Sequence, residues 1–133
     1  MDFKYKDVEA IADKEITVSF INGSVRLQEQ KEYVCLLRRK SKILIAFGSC
    51  AHLGGIPGLA NLWTKEDIFK QKYKEAPSLS NPEGTYPQES VTVGKEKLEL
   101  PAFFDTLYPL DQIVEVDYYI PGCPPPPDLI LQA

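Results

Sequence analysis

One histidine, His52, and three cysteines, Cys35, Cys50 and Cys123, are all that the 133 residues offer in those two side-chain types. With a single imidazole, no Ser–His–Asp or Cys–His constellation is evident. An odd cysteine count in a chain with no export signal argues against a disulfide framework. Positive charge is also short: 15 lysines and arginines face 19 carboxylates, a net charge of −4. No basic surplus is there to neutralise phosphates, which argues against a nucleic-acid partner. No apolar run approaches the ~20 residues of a membrane span, and Met1-Asp2-Phe3-Lys4-Tyr5-Lys6 lacks the apolar centre of a leader. The expectation is a cytoplasmic protein, with docking at the periphery of a larger membrane complex left open.

What is present fits one globular domain with one core: 44% of residues are hydrophobic and 26% charged. Residues 16–21, Ile-Thr-Val-Ser-Phe-Ile, are β-branched and aromatic and end at Asn22-Gly23, which predicts a buried strand and a turn. Ser24 is suited to cap a helix running to about Arg39, with Tyr33, Val34 and Leu37 on one face. Arg38, Arg39 and Lys40 then sit where cations favour the helix dipole. The continuous apolar run 43–47 predicts a strand covered on both faces. Strand, helix and strand at this spacing predict a βαβ unit in a parallel sheet. Beyond it, short helices are expected at 59–63 and 65–74. An exposed loop is expected at 76–88 and a hairpin from 91–93 and 98–100, so that 76–101 reads as an insertion. A helical turn is expected at 103–108, and a last strand at 114–120 before Pro121-Gly122-Cys123 and four prolines.

Cys50 and Cys123 share one placement: each follows a predicted strand in a turn made by glycine. In open α/β sheets that edge is where ligands bind. Two thiols converging there are soft ligands held by rigid elements, as a metal cluster requires. Gly48 and Gly122 would let backbone N–H groups point at cluster sulfurs, and the prolines from Pro124 onward would fix the loop and exclude water. The competing reading is two ordinary buried thiols.

Gly48-Ser49-Cys50-Ala51-His52-Leu53-Gly54-Gly55-Ile56-Pro57-Gly58, followed by Tyr118-Tyr119-Ile120-Pro121-Gly122-Cys123-Pro124-Pro125, resembles the small subunit of nickel–iron hydrogenases and the homologous 20-kilodalton subunit of NADH:quinone oxidoreductase. The stretch 56–62 looks closest to archaeal-type cytoplasmic hydrogenase small subunits that reduce viologen dyes or a deazaflavin. The resemblance implies a flavodoxin-like parallel sheet carrying a proximal 4Fe–4S cluster beside a large nickel–iron subunit. It further implies electron relay to other iron–sulfur proteins, with no catalysis by this chain alone. It matches Cys50 and Cys123 to two of the four cluster ligands, with Gly48, Ser49, Gly122 and Pro124 around them. The family's other two ligands lie on a loop after its first strand, which would fall upstream of Met1. The expectation is therefore a flavodoxin-like domain truncated at its N-terminus, either self-associated through its unsatisfied sheet or ordered only against a partner subunit.

Two alternatives remain: a cluster-free scaffold of the same fold, and a flavodoxin-type flavin carrier. Cys35 reads as an incidental helical thiol and His52 as a bystander near the cluster turn. Gly54, Gly55 and Gly58 fit no phosphate-loop spacing and are read as shaping a turn at a partner interface. Trp63, Phe69 and Tyr73 are read as core or interface packing.

Overall fold

The computed structural model describes residues 4–132. Met1 to Phe3, part of the stretch read for a leader, and Ala133 lie outside the described residues. A short helix, α1 (Tyr5–Ala10), precedes β1 (Ile16–Asn22) and a brief β2 (Val25–Leu27). Helix α2 (Gln28–Lys40) then feeds β3 (Ser41–Phe47), which runs parallel to β1 with Val18 opposite Ile43 and Ile21 opposite Ala46. After α3 (Ser49–Leu53) come a 3₁₀ turn (Pro57–Leu62) and α4 (Lys65–Lys70), which widens into a π-type turn (Gln71–Glu75). Strands β4 (Ser90–Val93) and β5 (Glu96–Glu99) form a wholly exposed hairpin within the expected insertion. Strand β6 (Phe103–Tyr108) pairs antiparallel with β2. Strand β7 (Tyr118–Ile120) completes a parallel sheet of order β1-β3-β7, and α5 (Pro127–Gln132) follows.

The βαβ unit forms where β-branched residues were read, because Ile, Val and Thr pack well on a pleated half-buried surface. Side chains on one face of the sheet, Ile21, Leu44 and Ala46, join Val25, Val34, Ala51 and Leu110 in the core. Leu44 and Leu110 have no exposed surface, and burying each contributes about 1.5–3 kcal/mol. The register puts Val18, Phe20, Ile43, Ile45 and Tyr118 on the other face. That face is open enough to leave Phe20 58% and Tyr118 61% exposed.

Four segments differ from expectation. Ser24 does not cap α2; Val25 enters β2 opposite Tyr108, and the helix starts at Gln28. Gln30, in its first turn, reaches back so that its Oε1 accepts the N–H groups of Arg26 at 2.8 Å and Leu27 at 3.0 Å. The stretch 103–108 is a strand rather than a helical turn, since β2 needs a backbone partner and Phe-Phe-Asp-Thr-Leu-Tyr favours extended pairing. The helix expected at 65–74 is regular only to Lys70. The strand expected at 114–120 shrinks to three residues because Leu110–Gln112 forms a 3₁₀ turn and Val114 N–H returns to Leu110 O.

Candidate functional site

The site begins where two parallel strands end side by side. Past β3, Gly48 N–H donates to Ile120 O at 2.7 Å, and Ser49 N–H donates to Gly122 O at 2.8 Å. These bonds prolong the β3–β7 ladder into the turns that follow. Cys50 stands one residue beyond the Ser49 donor, in the first turn of α3, and Cys123 one residue beyond the Gly122 acceptor. The structure therefore brings the two cysteine-bearing turns together at one sheet edge. Cys50 is half-buried and Cys123 exposed.

The Cys123 turn depends on glycine. Gly122 has φ +134°, and a Cβ there would lie 2.7 Å from Pro124 O and Pro125 N, closer than atoms can pack. Behind it Pro125 is buried, while Cys123 and Pro124 are exposed. The proline run thus orders the loop without shielding the thiol from water, contrary to expectation. The Gly48 N–H expected to face a cluster sulfur is committed to Ile120 O, because the ladder continues past the strand ends.

Other groups of unequal promise lie on the same strands and turns. The His52 ring packs on Tyr119, with centroids 4.5 Å apart and planes tilted by 41°. Its Nδ1 is buried with no hydrogen-bond partner among the described residues. Partial desolvation, and then the neighbouring Asp111 carboxylate, push the Tyr119 phenol above its ordinary value. Asp117 lies just before β7, where its carboxylate accepts Leu44 N–H at 2.7 Å and pairs with Arg38. The Leu44 bond first, and the Arg38 bond second, hold this carboxyl below its ordinary value. Sequence reasoning missed Tyr119 and Asp117, whose contacts appear only once the strands are paired.

Gly54 and Gly55 turn the chain out of α3, and Gly58 N–H closes on Gly54 O at 2.9 Å. This turn carries an apolar exposed run: Leu53, Ile56 and Leu62 are each 72% exposed. Trp63 is exposed as well, whereas Phe69 and Tyr73 stack with Tyr86 and Phe103 into an aromatic group beside the hairpin. Cys35 projects from α2 into solvent between the buried Val34 and Leu36.

Among the described residues, no three His, Cys, Asp or Glu side chains are grouped so as to hold a metal ion. Cys50 and Cys123 are soft donors of the right kind, but a cubane cluster takes four thiolates. The two thiolates fall short of that ligand set. No helix among the described residues is long and apolar enough to cross a membrane.

The sequence matches the family described as NADH ubiquinone oxidoreductase, 20 Kd subunit, over residues 1–133. It is 47% identical over 124 residues to the iron-sulfur subunit of the F420-non-reducing hydrogenase of Archaeoglobus profundus, covering 93% of this chain and 39% of that protein. It is 28% identical over 127 residues to the delta subunit of the NAD-reducing hydrogenase HoxS of Cupriavidus necator, covering 95% of this chain and 56% of that one. In three dimensions it resembles a chain in the crystal structure of an NAD+-reducing NiFe hydrogenase in the H2-reduced state. There the TM-score is 0.77 at 32% identity, over 90% of this chain and 62% of the other. The chain thus spans less than two thirds of the length of each of these relatives, and the likeness bears out the flavodoxin-like α/β fold.

Proposed function

The chain belongs to the family of the 20 Kd subunit of NADH ubiquinone oxidoreductase, and from that membership we propose that it forms part of an electron-transfer subunit of a nickel–iron hydrogenase or a related oxidoreductase. The observation that carries this reading is the backbone junction of Ser49 with Gly122, which sets Cys50 and Cys123 in adjoining turns. In this reading both thiolates bind one side of a 4Fe–4S cluster, and the remaining donors come from outside the described residues. When bound, such a cluster supplies one-electron transfer. The chain's own part is to hold two thiols at a rigid sheet edge and to aim them at a partner. That partner is a large catalytic subunit, with further iron–sulfur proteins downstream, and the setting is cytoplasmic. The exposed apolar run through Leu53, Ile56 and Leu62 suits the partner contact.

The test is anaerobic reconstitution of the purified chain with iron and sulfide, with and without an added small dithiol. Without the dithiol no stable cluster is expected to survive gel filtration, since two thiolates fall short of the ligand number. With it, iron and sulfide uptake and a brown chromophore are expected, and Cys50→Ala or Cys123→Ala abolishes them. Equal uptake by the double variant would overturn the ligand assignment. A second reading, a metal-free scaffold, is favoured by the missing third donor among the described residues. It predicts no specific uptake under either condition.

A further inference from the structure

If Cys50 is a ligand its thiol must be held in place, and one glycine bears directly on where that thiol sits. Helix α3 ends at Gly54, in the left-handed region with φ +87°, and its N–H donates to Cys50 O at 3.1 Å. Gly55 follows at φ +54° and folds the chain back against the first turn of the same helix. A Cβ at Gly55 would lie 2.9 Å from Cys50 Sγ and 3.1 Å from both Cys50 Cα and Cys50 N. The sulfur contact is closer than a Cβ packs, and the other two are tighter than nearly all Cβ contacts and involve backbone that cannot swing aside.

Two other left-handed glycines show that this is not a general property of the turn. A Cβ at Gly54 would meet Leu107 Cδ2 at 3.4 Å and Gly58 Cα at 3.5 Å, ordinary contacts that do not involve Cys50. At Gly23, with φ +89°, it would meet nothing within 4 Å. All three positions resist a side chain on conformational grounds. Gly55 alone of the three resists it because of the cysteine.

We infer that Gly55 is a positioning residue for the Cys50 thiol. The side chain it lacks leaves free the space that Sγ occupies, and its backbone forms one wall of that space. The functional meaning of this inference rests on Cys50 being a cluster ligand; the geometry does not. Any L side chain at 55 displaces Sγ, or tilts α3 with it, and α3 is tied through Ser49 to the Cys123 turn.

The experiment follows alkylation of the metal-free chain by iodoacetamide, with Cys50 read by peptide mass against Cys35 and Cys123 in the same molecule. Gly55→Ala is expected to shift the Cys50 rate about five-fold or more relative to the other two thiols, since reactivity follows exposure and surroundings. Gly54→Ala and Gly23→Ala impose similar backbone strain and are expected to leave that ratio within about two-fold. The same ratio in Gly55→Ala and Gly54→Ala would overturn the inference. Should Gly55→Ala fail to fold, Cys50→Ala is added to it. A recovered cooperative transition then supports the thiol contact, and continued failure shows that backbone alone demands the glycine. Iron uptake by the unsubstituted chain is read separately. A chain that takes up no iron even with the added dithiol but shows the alkylation shift removes only the ligand reading. One that binds iron without the shift removes only the role of Gly55.

Discussion

At Asp117 one carboxylate oxygen serves as a backbone partner that the short β7 does not supply. Its Oδ2 accepts the N–H of the fully buried Leu44, and the Asp117 N–H donates to Leu44 O at 3.0 Å. Arg38 steadies the arrangement by donating to Asp117 and to the carbonyls of Ser41, Lys42 and Glu115. Replacing Asp117 with alanine leaves Leu44 N–H unpaired in the core, and a loss of about 1–3 kcal/mol is expected in denaturant unfolding. The pH dependence follows from the sign of the shift. A carboxyl whose folded value lies below its ordinary one, near 3.8, contributes stability that is fully present above that value. The contribution drains away as pH falls through the lowered folded value. Unfolding curves below about pH 4 should therefore fall less steeply in Asp117→Ala than in the unsubstituted chain. An equally steep acid limb in both would show that the carboxylate does not carry the dependence.

Among the elements, the 3₁₀ turn Pro57–Leu62 is fastened by a side chain acting as a strand. Asn61 Nδ2 donates to Leu107 O at 2.9 Å, and Asn61 Oδ1 accepts Leu107 N–H at 2.8 Å, so one amide satisfies both backbone groups of a β6 residue. Asn61→Ala is expected to lower stability by about 1–3 kcal/mol by stranding those groups. Hydrogen exchange at Leu107 should quicken; an unchanged exchange rate there would count against the fastening. Asn61→Asp cannot restore the donor. The same elements show why legibility stopped where it did. Strands β1 and β3 were readable because the first is rich in β-branched and aromatic residues, the second is continuously apolar, and the two are joined by one helix. The β2–β6 pair was not: Val25 meets Tyr108 far along the chain, and three residues carry too little period to mark a strand. The cysteine turns were legible because Gly-Ser-Cys and Gly-Cys-Pro each punctuate the end of an apolar run. Gly55 against Cys50, Tyr119 against His52 and Asp117 against Leu44 are tertiary contacts, invisible until the sheet and its turns are folded.

For the molecule as a whole, the three-stranded sheet leaves part of one face open around Phe20 and Tyr118. Phe20 stands there in an edge-to-face contact with Phe47 at 6.3 Å, and β1 forms the outermost strand. Open edges and uncovered apolar faces associate, so the purified chain is expected to self-associate at low micromolar concentration by light scattering. Phe20→Lys should shift the distribution toward monomer. A monodisperse monomer of the unsubstituted chain would refute the expectation. The junction of the cysteine turns has a further consequence, in the statistics of the unfolded chain. Cys50 and Cys123 bracket a loop of roughly 70 residues, and tying its ends together removes about 4 kcal/mol of conformational freedom from the denatured ensemble. The folded backbone already holds those ends side by side, so a metal group gripped by both thiols would act as a staple across most of the domain. Occupancy would then be written into the melting temperature, and loss of the group would loosen strands remote from either sulfur.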